Sequence, residues 1–139
     1  MSATASRTYP DRPFVAVSAA IVRDDRFLLV RRARPPYVHT LPGGVVETGE
    51  TLVEETSLVI EPAGLAGYRE AITRDPEQRV LRHFLVMAFA AHWRGGEPVL
   101  NDELSEARWI TPAALSGFET TEGLAGIVEA AFALLAQAR

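Results

Sequence analysis

The stretch LPGGVVETGETLVEETSLVIEP, Leu41 to Pro62, limits the fold more than any other part of the chain. It opens on Pro42-Gly43-Gly44, where the backbone must turn or approach another segment closely. Glu47, Gly49, Glu50, Thr51, Glu54 and Glu55 follow, and the chain then passes at once into the strand-like Leu58-Val59-Ile60. Only Thr51 to Ser57 separate the glycine-rich part from that strand, which leaves little room for a helix.

The flanks read mostly as strands. Phe14 to Val22 (FVAVSAAIV) is β-branched and small-apolar, Arg23-Asp24-Asp25 supplies turn residues, and Arg26 to Arg32 (RFLLVRR) resumes the apolar run, which predicts a hairpin. Arg34-Pro35-Pro36 ends it, because proline has no N–H to give to a ladder. Leu65 to Ile72 and Val80 to Trp93 (VLRHFLVMAFAAHW) are further strands joined through Thr73 to Gln78, and the second has the most buried composition in the chain. Gly95-Gly96-Glu97-Pro98 breaks the pattern, Asn101 to Glu106 is an acidic loop, and Ala107 to Ile110 is a short strand. Thr111-Pro112 reads as the N-cap and first residue of a helix. After Thr121, the residues Leu124, Ile127, Val128, Ala131, Leu134 and Leu135 share one face of a last helix that covers the sheet. No internal repeat is present. The expected class is α/β (α+β), a mixed sheet with two or three helices.

A chain of 139 residues, 47% of them hydrophobic, has enough material for one core and too little for two domains. The expected organisation is a flexible tail over residues 1–13, which lacks the apolar core of a signal peptide, and a single domain over 14–139. No apolar run approaches the ~20 residues of a membrane span. The chain has no cysteine, which fits a reducing compartment and makes a cytoplasmic location the expectation. Its formal charge is −4 and every basic side chain apart from histidine is arginine, which argues against a surface that tracks nucleic acid. A phosphate ester bound by such a chain would call for divalent cations.

Each acidic feature has a plain structural alternative. Gly43-Gly44 alone is a turn, Glu54-Glu55 alone is a solvated face, and Thr51-Leu52-Val53-Glu54 fits a helix capping box. The order of the pieces says more than any one of them: hairpin, Pro-rich loop, GGxxExGE, EE, strand. In that order the sequence resembles the Nudix hydrolases, whose box is GX5EX7REUXEEXGU with U a bulky apolar residue. Gly44, five residues and Glu50 match its first part, and LLVRRARPP, LPGG and ELSEARWITPAAL are similar to the family's flanks. The resemblance runs from about Phe14 to the C-terminus. It implies a Nudix-type α/β/α sandwich with a mixed β-sheet, and Mg²⁺ or Mn²⁺ held by carboxylates. The implied reaction is attack of a metal-activated water on the pyrophosphate of a nucleoside diphosphate linked to another moiety, with ADP-ribose or a nucleotide sugar first. The implied partner is a nucleotide-type small molecule, with no nucleic acid and no membrane, and a homodimer is compatible with it.

The second part of the box departs from the pattern. The family's Glu pair lies 12 and 13 residues after the glutamate that Glu50 matches, whereas Glu54 and Glu55 lie four and five residues after it, so eight positions are absent, the Arg-Glu pair among them. A complete box helix of about 14 residues spans ~21 Å, which Thr51 to Thr56 can approach only when almost fully extended, at ~3.3 to 3.6 Å per residue. Tyr37-Val38-His39-Thr40 also looks shorter than its counterpart in the family. The two shortfalls lead to the expectation that the natural coding sequence carries residues absent from this chain.

On the gapped alignment the resemblance assigns the Gly43 carbonyl, Glu50, Glu54 and Glu55 as metal ligands, and Glu55, Glu54 and Glu103 as catalytic residues. Glu103 lies six residues before Trp109 in a loop where family members carry a glutamate, with Glu106 as its alternative, and both read equally as solvated acids. Arg69, Glu70 and Arg82 fall on predicted strands, where they meet substrate phosphates or pair with one another. His39, His83 and His92 have no metal spacing, and Tyr37 or Phe118 is placed to stack on a base. The absent Arg-Glu pair keeps a second reading open, a catalytically inactive Nudix scaffold acting as a nucleotide-binding or interaction module.

Overall fold

The computed structural model describes residues 7–46, 49 and 58–137. Strands β1 (Phe14–Arg23) and β2 (Arg26–Arg32) form the expected hairpin around Asp24-Asp25, with Val22 opposite Phe27 and Arg23 opposite Arg26. Asp24 takes the left-handed conformation at φ 58, which its short polar side chain tolerates. Two short strands, β3 (His39–Thr40) and β4 (Gly43–Val45), precede the long pair β5 (Val59–Arg74) and β6 (Val80–Gly95), and β7 (Leu104–Ile110) closes the sheet. A 3₁₀ turn over Pro112–Gly117 and one α-helix, α1 (Leu124–Gln137), follow.

The sheet is mixed. β1 runs parallel to β6 from Phe14–Phe84 to Val22–His92, and the other ladders are antiparallel, giving the path β3-β2-β1-β6-β5 with β4 on β1 and β7 on β2. The pairings reveal a split. β7 occupies one edge of β2 from Phe27 to Arg32, so β1 at Phe27 and β3 at Val30-Arg31 must share the other. Likewise β6 fills one edge of β1, and β2 and β4 share the opposite one. β1 and β2 therefore hold each other only beside their turn and then part, and β3 and β4 fill the opening.

Both faces of the central strands are buried. Ala20, Phe27, Leu29 and Ala90 face α1 and pack with Leu124, Val128, Ala131 and Leu135. Ala19, Ile21, Leu28, Val30 and Ala91 face the other way and pack with Leu58, Ile60, Trp93 and Trp109. This is why FVAVSAAIV and RFLLV read as continuous apolar runs with no alternation. Helix α1 lies close to β5 because Gly67 has no side chain: a Cβ there would stand 3.2 Å from Ile127 Cγ1.

Several boundaries differ from those expected. Leu65 to Ile72 is the middle of a strand that begins at Val59, since an edge strand accepts Pro62 and absorbs Gly64 and Gly67 in register shifts. β7 begins at Leu104 within the supposed acidic loop, because Glu106 stands opposite Arg31 and gains an oppositely charged neighbour. Thr111-Pro112 starts a 3₁₀ turn in place of an α-helix, without a hydrogen bond from the Thr111 side chain. The segment expected to be a loose tail carries an anchor at Tyr9. Its N–H donates to Leu81 O at 2.8 Å and its Oη to Asp75 Oδ2 at 2.8 Å. Burial pushes the Asp75 carboxyl up, but hydrogen bonds from Tyr9, from the Arg79 backbone and side chain and from the Glu77 N–H outweigh it and hold the group below its ordinary value.

Candidate active site

The opening between β1 and β2 is also where chemistry concentrates. β4 lies against β1 with Gly43 opposite Ser18 and Gly44 opposite Val17. A Cβ on Gly43 would fall 2.0 Å from the Val17 carbonyl oxygen and 2.7 Å from Ser18 Cα, so only glycine lets this strand lie so close. Ala19 N–H donates to Pro42 O at 3.0 Å and Val46 N–H to Val15 O at 2.9 Å, fixing both ends of the short strand.

Under β4, on the α1 side of the sheet, is a cavity of about 150 Å³. Ala16, Val86 and Ala88 form its apolar floor, Ser18, Arg32, Thr40 and Arg69 its polar wall, and Thr121, Glu122 and Leu124 at the start of α1 its rim. Arg69 is half-buried and has no hydrogen-bond or ion-pair partner among the described residues, while Arg32 reaches only the Pro35 carbonyl at 3.4 Å. Two cationic side chains therefore converge on a cleft lined, among the described residues, by one carboxylate, Glu122, a charge balance that suits an anion. A larger hollow of about 480 Å³ lies at the far end of β1 near Arg23, His92 and Phe132, but Arg23 there is held by Glu97 and by the Trp93 ring, and Arg94 by Glu61.

A second cluster flanks Thr40. His39 Nε2 lies 2.7 Å from Glu106 Oε2, Arg108 Nη2 donates to Glu106 Oε1 at 2.7 Å, and the Phe118 ring packs edge-on against the imidazole with centroids 4.8 Å apart. His39 N–H donates to Glu119 O, Thr121 N–H donates to His39 O, and the Thr40 and Thr121 hydroxyls meet at 3.2 Å. The guanidinium of Arg108, and then His39, lower the Glu106 carboxyl to a pKa of about 2. Glu106 is thus an ionised strut that ties β7 to β3, whose His39 and Thr40 in turn bond the loop entering α1.

The structure divides the residues nominated from sequence. Gly43 and Arg69 meet at the cavity. Arg82, opposite Thr73, is exposed farther along the hairpin. Glu70 points to the other face of β5, where His83 lies 3.4 Å away. Glu103 has its backbone fixed between Asn101 Oδ1 and the Ala33 N–H, beside Arg32 at the end of β2, and its side chain is exposed. Glu50, Glu54 and Glu55 lie outside the described residues. Among the described residues no group of three or more His, Asp or Glu stands close enough to hold a metal ion. Ser18, Arg32, Thr40, Thr121 and Glu122 line the cavity without having been nominated, since nothing in the sequence links positions a hundred residues apart.

Residues 12–130 match the NUDIX domain model, and the chain belongs to the Nudix family. It is 34% identical over 108 residues to an ADP-ribose pyrophosphatase of Methanocaldococcus jannaschii, covering 70% of this chain and 62% of that protein. The match is longer than the part of this chain it takes in, so the relative carries residues with no counterpart here. A MutT-like protein of Streptomyces ambofaciens is 29% identical over 124 residues, covering 84% of this chain and 75% of the relative. Among solved structures, a MutT NUDIX hydrolase of Burkholderia pseudomallei superposes with a TM-score of 0.67 at 26% identity, over 86% of this chain and 98% of that one. The α+β class with a mixed sheet agrees with these neighbours. Among the described residues no helix is long and apolar enough to cross a membrane.

Proposed function

We propose that the chain is a divalent-metal-dependent pyrophosphohydrolase acting on a nucleoside diphosphate linked to another moiety, with ADP-ribose as the first substrate to test. The observation that carries this reading is Arg69, a half-buried guanidinium without a partner among the described residues, directed with Arg32 into a cleft beside Gly43-Gly44. Family membership and the printed activity of the archaeal relative support the substrate class. The metal would be held by Glu50, Glu54 and Glu55 with the Gly43 carbonyl, an all-oxygen set suited to Mg²⁺ or Mn²⁺. Once bound it supplies charge neutralisation at the pyrophosphate and lowers the pKa of an attacking water.

The chain's own residues do the rest. Arg69 and Arg32 neutralise and orient the phosphate end of the substrate, as bidentate guanidinium donors do. The apolar floor of Ala16, Val86 and Ala88 excludes water beneath it, which strengthens those interactions. On this reading Glu103, exposed just before β7, accepts the proton of the attacking water. The reading is tested by AMP release from ADP-ribose with Mg²⁺, comparing the chain with Glu55→Gln, with Arg69→Ala and with a form in which eight residues are restored between Glu50 and Glu54. Activity that falls on Glu55→Gln, with KM raised about tenfold or more by Arg69→Ala, supports it. Undetectable activity in the chain together with activity in the restored form assigns this chain to the second reading, an inactive scaffold, for which calorimetry without Mg²⁺ measures nucleotide binding directly.

A further inference from the structure

We propose that a second copy of this chain docks along β5, pairing Glu70–Arg74 antiparallel with its own image about a two-fold axis at Ile72. β5 ends the strand path, so its outer row of backbone N–H and C=O groups has no ladder among the described residues. The first half of that edge is guarded by Pro62 and by register shifts at Pro62/Gly64 and Leu65/Gly67, the usual devices against edge-to-edge pairing. The second half carries one register shift, at Thr73/Arg74, where the extra residue is on β6. From Gly67 to Thr73 the pairing with β6 is regular, the stretch has no proline, and Tyr68 and Ile72 remain 68% and 45% exposed.

Strand alternation puts Tyr68, Glu70, Ile72 and Arg74 on one face and Arg69 on the other, toward the cavity. Charge selects the register. With the axis at Ile72, Glu70 stands opposite the partner's Arg74 and Arg74 opposite the partner's Glu70, so two opposite-charge pairs flank an Ile–Ile contact. An axis at Glu70 or at Arg74 would set like charges against each other, and one at Ala71 or Thr73 would face a charge with Ile72. The present partners of these groups are weak ones. Glu70 has His83 at 3.4 Å with its own side chain 59% exposed, and Arg74 reaches the Gln78 carbonyl in the adjacent turn. Exposed pairs of this kind contribute little and re-pair readily. A paired edge of this geometry is isologous, so it closes as a dimer and does not propagate.

Sedimentation velocity up to about 100 µM tests the proposal, with a dimer expected for the unmodified chain. Glu70→Arg and Arg74→Glu should each weaken dimerisation about tenfold or more, and the double exchange should restore it. A monomer throughout the range, single exchanges that leave association unchanged, or a double exchange that stays monomeric would overturn the pairing. An independent readout uses the absence of cysteine from the chain. Ile72→Cys should form a disulfide-linked dimer on mild oxidation far faster than Val99→Cys, whose site is 74% exposed on a separate segment. Equal rates for the two would exclude an axis at Ile72.

Discussion

The central strand β2 and the edge strand β5 carry similar apolar side chains and bury them to different depths. Leu28 and Leu29 are 1% and 0% exposed, whereas Leu65 and Ile72 on β5 are 43% and 45% exposed. Helix α1 lies over one face of the sheet, packing on β1, β5 and β6. The second face is closed over β1 and β2 by Leu58, Ile60, Trp93 and Trp109, and left open toward the lower half of the β5–β6 hairpin. An apolar side chain thus derives its stabilising effect from what covers it, and strand composition alone does not report that. The candidate site sits where the closed region begins to open, at the parting of β1 and β2. There a strand edge is free for β4 and a rigid floor is still present beneath it.

The sharpest way to break this comparison is to make one substitution in both regions. Leu29→Ala removes a fully buried side chain from the cluster containing Phe27 and Ala90, and should cost ~2–5 kcal/mol in a denaturant unfolding experiment. A smaller loss is expected from Gly43→Ala. Its methyl group would meet the Val17 carbonyl at 2.0 Å, backbone that has nowhere to go, so β4 must lift from β1 at about 1–3 kcal/mol. Because that displacement opens the roof over Arg69, nucleotide affinity measured by calorimetry should fall alongside the melting temperature.

Much of the fold was legible because local chemistry and tertiary context agree. The β1–β2 hairpin announced itself through Asp24-Asp25, the long pair β5–β6 through its apolar runs and the turn between them, and α1 through its face of Leu124, Val128, Ala131 and Leu135. Where context overrides local signal, the sequence misled. Pro62 reads as a strand breaker and sits within one, since an edge has no use for its missing N–H. β3 and β4 are too short to show a period and exist because β1 and β2 part and leave edges to fill. Of the site, Gly43 and Arg69 were visible from the motif and the strand pattern, while Ser18, Thr40 and Glu122 converge only through topology. Glu70 and Arg69 were grouped because both fall on a predicted strand, yet alternation sends them to opposite faces.

Acid should discriminate between the two regions more gently. Glu106 has a folded pKa of about 2 against an ordinary 4.5, so the stability it contributes is fully present above the ordinary value and is lost as pH falls through about 2. Melting curves between pH 6 and 2 should therefore drop more for the unmodified chain than for Glu106→Gln, with the two converging at the acid end. The loss is local: Glu106 holds β3 to β7, and β3 in turn bonds the loop before α1, so protonation loosens the Thr40–Thr121 contact at the cavity rim and leaves the β5 edge unaffected. Equal acid slopes for the two proteins would mean that the His39–Glu106–Arg108 cluster does not hold that rim.

The smallest effect is expected where the first prediction is mirrored. Leu65→Ala deletes the same atoms as Leu29→Ala, from a side chain that is 43% exposed on the uncovered face of β5. With part of its surface already in water and no closed shell to leave a cavity in, the loss should stay below ~1 kcal/mol. Position 65 lies outside the regular stretch Gly67–Thr73, so association along β5 should persist in this variant. A loss comparable to that of Leu29→Ala would mean that the second face of β5 is covered in solution. In that case the concentration dependence of the unfolding midpoint identifies the cover: a midpoint that rises with protein concentration points to a second copy, and a constant midpoint points to the chain's own residues.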